Sequence, residues 1–271
     1  MCIRDRLRNE LAFQHLHIFL TTTLPIHRYV LLTPNVQQSI HAKPLNQLNK
    51  DESGQFTIVI DPGHGGKDQG CAHTSVQEKH ITLPVALKIG SIIEKSRPDI
   101  TVIYTRSADY SISLNQRVRQ SYKADLFISV HANAVDDDSV QGFETYVYGL
   151  SNTESGTNQH AHNFQYLSQR DIVDDIFSDI LHTSVVEESY RLGSAINKAL
   201  NQEKGIKNRG IRQAPFRVLA KTKTPSVLLE LGYLTNKDDA RLLCSNSHQE
   251  LIAKVISAGI NEYLTQSSAA D

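Results

Sequence analysis

Two histidines and two glutamates stand where apolar runs stop. Ile58-Val59-Ile60-Asp61 runs into Pro62-Gly63-His64-Gly65-Gly66, and Leu126-Phe127-Ile128-Ser129-Val130 runs into His131-Ala132-Asn133-Ala134. Val227-Leu228-Leu229 leads to Glu230, and Glu78 precedes a stretch of helical periodicity. Short apolar runs bounded by turn residues read as buried parallel strands, and such sheets bind ligands at the carboxyl ends of their strands. The strand ends therefore put His64, His131 and Glu230 on one rim. Glu78 joins them from the start of a helix that packs back on the sheet. Two imidazoles and one carboxylate fill three positions of a zinc site and leave the fourth for water, whose pKa zinc lowers to about 7. A carboxylate that is not a ligand can then take the proton and pass it on. Glu230 suits that role, because Val227, Leu228, Leu229 and Leu231 around it desolvate the carboxyl and raise its pKa.

Each residue also has a plainer reading. The chain carries 12 histidines, most of which must be surface or hydrogen-bonded residues. His73 and His80 compete as ligands by proximity, and His160 with His162 form a separate pair. Glu78 alone reads as a helix N-terminal carboxylate facing the dipole. Glu230 alone reads as a buried partner of Arg209 or Lys79. The ligands are scattered and no HExxH is present, so spacing by itself does not choose.

The elements that must position these groups follow from the pattern. A strand over Thr57–Asp61 leads through a glycine-rich loop to a helix from about Lys79 to Ser96, with Ile81, Val85, Ile89 and Ile92 at helical spacing. Further strands are expected at Ile100–Thr105, Leu126–Val130, Phe143–Tyr148, Phe216–Ala220 and Ser226–Leu231. Further helices are expected from Ser113 to about Ala124, over Asp171–Glu188, over Tyr190–Gln202 and from about Gln249 to Leu264. Strands alternating with helices predict an α/β fold, a single domain whose twisted, mostly parallel or mixed sheet has helices on both faces. Residues 1–54 read as a poorly structured N-terminal segment. It holds a weak export signal, interrupted by histidines and Gln14, and a polar linker. Residues 55–271 read as the catalytic domain.

Composition narrows the function. With 271 residues there is enough chain for a sizeable core. Lys and Arg number 28 against 29 Asp and Glu, which gives no electrostatic case for a nucleic-acid partner. No run of about 20 apolar residues exists to span a membrane. Cys2, Cys71 and Cys244 are far apart and form neither a disulfide framework nor a thiolate metal site.

Together the blocks resemble one family. Ile58-Val59-Ile60-Asp61-Pro62-Gly63-His64-Gly65-Gly66-Lys67-Asp68 resembles the signature of zinc-dependent N-acetylmuramoyl-L-alanine amidases of the Amidase_3 type. Glu78-Lys79, Ser129-Val130-His131-Ala132-Asn133-Ala134 and Val227-Leu228-Leu229-Glu230-Leu231-Gly232-Tyr233-Leu234-Thr235-Asn236 match its other blocks in order. Tyr104-Thr105-Arg106, Leu114-Asn115-Gln116-Arg117 and Arg209-Gly210-Ile211 also resemble family positions. The resemblance covers residues 56 to 264 or so. It implies His64, Glu78 and His131 as Zn2+ ligands and Glu230 as the catalytic carboxylate. The implied reaction is hydrolysis of the peptidoglycan amide that joins N-acetylmuramic acid to L-alanine of the stem peptide. It further implies a monomer in the cell envelope, periplasmic or secreted, acting in cell-wall turnover and cell division. Asn133 and Arg209 lie in matched blocks, with support or substrate contact as their expected roles.

One departure is an insert at about 151–188. In division-associated relatives an insert near this position carries a helix that blocks the site until a protein activator binds. The resemblance extends that role to Asp171–Glu188, with Glu187 or Glu188 near the metal; the plainer reading is an extra helix packing on the sheet. The rival functions are a non-catalytic peptidoglycan-binding or activator protein, and a zinc peptidase of other specificity.

Overall fold

The structure is a computed structural model that describes residues 17–19, 30–32, 55–73, 76–149 and 169–268. The chain divides into two units, Met1–Pro44 and Leu45–Asp271. The first contains an antiparallel pair, β1 (His17–Phe19) and β2 (Val30–Leu32). The second begins with β3 (Phe56–Pro62), the small antiparallel pair β4 (Ala72–His73) and β5 (Val76–Gln77), and helix α1 (Lys79–Ser96). It continues through β6 (Ile100–Tyr104), α2 (Leu114–Ser121), β7 (Leu126–Asn133), β8 (Phe143–Tyr148) and α3 (Gln169–Gln202). It ends with β9 (Asn208–Ala214), α4 (Arg217–Ala220), β10 (Ser226–Tyr233), α5 (Lys237–Leu243) and α6 (Asn246–Ser268).

Six strands form one mixed sheet in the order β6-β3-β7-β10-β8-β9. β6, β3, β7 and β10 run parallel, while β8 runs antiparallel to β10 and parallel to β9. The carboxyl ends of β3, β7 and β10 therefore meet at one edge, as the apolar runs predict.

Alternation along each strand sorts side chains between two faces. Ile58, Ile60, Ile128, Val130, Val227 and Leu229 pack under the stripes of α1, α3 and α6. Val59, Phe127 and Leu228 face the other way, onto Ala124, Val218 and Leu219 near α2 and α4. Two residues further along this second face come Asp61, Ser129 and Glu230, and four further comes His131. The alternation that builds the thinner core layer thus also aims the polar groups of the rim to one side of the sheet.

Three expected elements differ. Phe216–Ala220 is the one-turn helix α4 and not a strand. Its Val218 and Leu219 satisfy the same burial as a strand would, against Phe127 and Leu228. Asp171–Glu188 and Tyr190–Gln202 are one helix, α3, because nothing at Ser189 breaks the ladder. Ser189 instead accepts the Ser226 amide at 2.9 Å, which docks this point of α3 at the amino end of β10. Glu188 accepts from the Tyr263 hydroxyl at 3.0 Å and pairs with Arg191. It is thus tied down at the edge of the sheet opposite Glu230, and the expectation of Glu188 at the metal is corrected. Strand β9 and helix α5 went unread in the sequence. Asn236 caps α5 by accepting from the amides of Asp238 and Asp239, the helix-start role its type suggests.

Candidate metal centre

The loop after β3 is held from behind by two arginines. Arg117 donates to the carbonyls of Pro62 at 2.7 Å and His64 at 2.6 Å and also pairs with Asp61. Arg106, fully buried, donates to the carbonyls of Pro62 and Gly63 at 3.1 and 2.8 Å. Thr82 of α1 adds a hydroxyl to the Gly63 carbonyl. With three successive carbonyls turned inward, the chain carries His64 at φ 60°, a left-handed conformation unusual for a side-chain-bearing residue. Strain of this kind persists where surrounding contacts impose it.

His64, Glu78 and His131 converge in front of that clamp. One ligand atom of each lies within 4.8 Å of the others. Glu78 bridges the imidazoles, with Oε2 3.0 Å from His64 Nε2 and Oε1 2.8 Å from His131 Nδ1. The rings meet edge to face at a centroid distance of 5.0 Å. Glu78 sits at the start of α1 but makes no side-chain cap there. It accepts instead from the amides of Cys71 and Ala132, which fix both carboxylate oxygens. Asp68 holds the other nitrogen of His64 at 2.9 Å, the support that orients a metal-ligating imidazole. Glycines make the approach possible. A Cβ on Gly63 would sit 2.4 Å from the His131 ring, and one on Gly70 would sit 2.4 Å from Glu78 Oε2.

The electrostatics of the metal-free cluster fit a cation. Burial alone would raise the Glu78 pKa, but hydrogen bonds from His131 and His64 outweigh it and hold the carboxyl well below the usual range. Burial lowers both histidines, yet the hydrogen bond to Glu78 leaves each above its ordinary value. The cluster therefore holds protons where a metal would sit, and a metal must displace them. Two imidazole nitrogens and a carboxylate in a glycine-lined recess are a suitable donor set for a divalent ion with an open position.

Glu230 lies beside this cluster. It is opposite His131 in the β10–β7 register and opposite Glu144 in the β10–β8 register. It is 8% exposed, and its Oε2 has no hydrogen-bond partner among the described residues. Burial, only partly offset by His131, pushes its pKa up to about 7. Neither plainer partner is its own. Lys79 pairs with Asp109 at 2.7 Å, and Arg209 pairs with Glu144 at 2.7 Å.

Of the rival ligands, His80 is exposed on α1, and the side chains of His73, His160 and His162 lie outside the described residues. Asn133 turns its side chain back to the Ala134 amide and gives its carbonyl to Leu234. Sequence reasoning assigned no task to Asp68, Arg106, Arg117 or Glu144. The last had a legible signal, an acid within the apolar alternation of Phe143–Tyr148.

Comparison with known proteins agrees with this geometry. Residues 58–262 match the Amidase_3 family, described as N-acetylmuramoyl-L-alanine amidase. AmiA of Escherichia coli, an N-acetylmuramoyl-L-alanine amidase, is 31% identical over 242 residues, covering 82% of this chain and 80% of that protein. LytC of Bacillus subtilis is 32% identical over 227 residues, covering 83% of this chain and 38% of that protein. Among solved structures, the amidase AmiC2 of Nostoc punctiforme superposes with a TM-score of 0.61 at 32% identity, over 78% of this chain and 97% of that one. The CwlD amidase of Clostridioides difficile, solved in complex with the GerS lipoprotein, superposes at 0.58 with 25% identity, over 78% of this chain and all of CwlD. The sheet, the clamped loop and these matches agree in placing the chain in the Amidase_3 family, the N-acetylmuramoyl-L-alanine amidases, hydrolases of peptidoglycan.

Proposed function

We propose that His64, Glu78 and His131 hold a zinc ion and that Glu230 carries the proton in cleavage of the amide between N-acetylmuramic acid and L-alanine. The observation that supports this most is a three-donor cluster next to a buried carboxyl whose second oxygen is unpartnered. Zinc in this donor set supplies a Lewis acid and water of pKa near 7. Glu230 accepts the proton of the attacking water and delivers it to the leaving amine of L-alanine. Its pKa near neutrality serves both halves of that transfer. Asp68 and the amides of Cys71 and Ala132 keep the ligands oriented.

All four residues come from one chain, so the enzyme acts as a monomer in this reading. Its substrate places it outside the cytoplasm, in the periplasm or secreted. No described helix is long and apolar enough to cross a membrane.

The test is digestion of purified sacculi with zinc-loaded protein and mass analysis of the fragments. Released stem peptides beginning in L-alanine, with intact glycan strands, are expected. Cleavage within the peptide would mark a peptidase, and no product with zinc bound would mark a binding protein. Glu78→Gln removes the anionic ligand and is expected to weaken zinc by more than about 100-fold, beyond the loss typical of supporting residues. A zinc titration that leaves affinity unchanged in that variant rules out Glu78 as a ligand.

A protein partner acting on the insert is a separate matter. With Glu188 bound to Tyr263, the insert does not act as a plug in this arrangement. Deleting residues 151–186 is expected to leave peptidoglycan release within about twofold of the full chain, as surface changes away from a site do. A tenfold or larger gain on deletion would restore autoinhibition.

A further inference from the structure

A bulge in β9 sets up a second charged feature on the rim. Between the pairs Phe143–Asn208 and Thr145–Ile211, β8 advances two residues while β9 advances three. The extra residue is taken up around Gly210 at φ 87°, where an added Cβ would meet nothing within 4 Å. Glycine is there for the backbone angle and not for space. Asn208 Oδ1 supports the turn by accepting the Gly210 amide at 3.0 Å. On a regular strand, residues three apart face opposite sides. The bulge brings Arg209 and Arg212 to the same side. Arg209 Nε donates to Glu144 Oε1 at 2.7 Å, and Arg212 Nε lies 2.8 Å from the same oxygen.

Glu144 does not require both. It is 2% exposed, and its other oxygen already accepts the Tyr146 hydroxyl at 2.9 Å. One guanidinium neutralises one carboxylate; two leave a net positive charge at the surface. Arg209 lies over the Tyr233 ring at 5.6 Å from its centroid. Arg212 is 45% exposed, with its terminal nitrogens beyond the Glu144 contact. A guanidinium anchored through Nε still offers donors in a planar fork suited to a second carboxylate.

The position of this fork relative to the reacting groups is fixed by the sheet. His131, Glu230, Glu144 and the arginines occupy successive strands β7, β10, β8 and β9. At about 4.8 Å per strand, the arginine strand lies roughly 10 Å from that of Glu230. An extended peptide covers about 7 Å in two residues, so the fork is in reach of a group one or two residues past the scissile amide. The two sides of that amide differ in charge. The glycan side offers neutral hydroxyl and acetamido groups, whereas the peptide side carries carboxylates.

We propose that Arg209 and Arg212 form a subsite for a free carboxylate of the stem peptide, so that the peptide lies over β8 and β9 and the glycan lies toward the glycine-rich loop. This rests on the proposed placement of the scissile amide between the metal ligands and Glu230.

The experiment uses the zinc-loaded full chain and two soluble muramoyl peptides, identical except that the α-carboxyl of the residue following L-alanine is free or is a primary amide. The free acid is expected to be cleaved with a kcat/KM roughly 10- to 100-fold higher, the range for a hydrogen bond to a charged group, with the difference mainly in KM. Arg212→Gln and, separately, Arg209→Gln should shrink that ratio, and Arg212→Lys should restore part of it through charge alone. Calorimetric binding to the turnover-deficient Glu230→Gln protein should show the same preference. Equal cleavage of both substrates by the unmodified enzyme overturns the subsite, as does an equal loss on both in the arginine variants. If neither substrate is cleaved by the zinc-loaded enzyme, the amidase reading itself fails and takes the subsite with it.

Discussion

Glu230→Gln is expected to lose turnover by roughly 100- to 10,000-fold, the contribution of a positioned general acid–base group, while binding zinc as tightly as the unmodified chain. The same substitution should make the metal-free protein more stable at neutral pH and above. The sign follows from burial. An ordinary glutamate titrates at 4.5, whereas Glu230 in the fold titrates at about 7. Below pH 4.5 the carboxyl is protonated in both folded and unfolded chains and has no effect on the pH dependence. Between pH 4.5 and 7 the unfolded chain releases the proton and the folded chain keeps it, so stability falls as pH rises. Above pH 7 the penalty is complete, on the order of 3 kcal/mol at 1.36 kcal/mol per pH unit. Glutamine carries no charge and does not lose this increment. Thermal melts of chelated protein at pH 5, 6, 7 and 8 read the difference directly. Curves for the two proteins that stay parallel across this window would remove the claim that Glu230 is a desolvated acid. A variant that is stabilised but inactive would mean that the fold tolerates an unfavourable carboxyl for the sake of the reaction.

What the sequence disclosed, and what it hid, divides along the sheet. The central strands β3, β7 and β10 are buried on both faces, so their residues are continuously apolar and end abruptly at polar turns. Those ends are the site, which is why His64, His131 and Glu230 could be found from pattern alone. Glu78 has no such signature. Its place depends on the path of the loop before α1, and the family resemblance identified it. The edge strand β9 was missed because Asn208-Arg209-Gly210-Ile211-Arg212-Gln213-Ala214 is half-exposed, interrupted by a bulge and nowhere alternating. Hidden with it was the arginine pair that the bulge creates. Phe216–Ala220 misled for the opposite reason: five residues with apolar side chains suit a strand or a helical turn equally, and length could not arbitrate. The joined helix α3 shows the same limit at larger scale. Its charged first half and apolar second half look like two elements, yet neither a proline nor a glycine separates them at Ser189.

Arg117 is where the fold and the site depend on each other most strongly. It is 8% exposed and pairs with Asp61, which is 1% exposed. Asp61 also accepts from the hydroxyls of Thr105 and Ser129. Arg117→Ala leaves that carboxylate buried and unpaired, at a cost of about 3–5 kcal/mol. It also releases the carbonyls of Pro62 and His64, two of the three that hold the loop inward. With the clamp loosened, His64 is free to leave its left-handed conformation, and zinc affinity should fall at least about tenfold. The two consequences separate in a double variant. Asp61→Asn in the Arg117→Ala background removes the buried charge and should recover part of the stability in a denaturant titration. It supplies no donor to the loop carbonyls, so zinc affinity should remain low. Arg117→Lys is expected to lie between, since an ammonium keeps the charge but cannot span Asp61 and both carbonyls with a planar fork. If the double variant regained zinc binding along with stability, the loop would be shown to hold its shape without the guanidinium, and the buried arginine would serve the core alone.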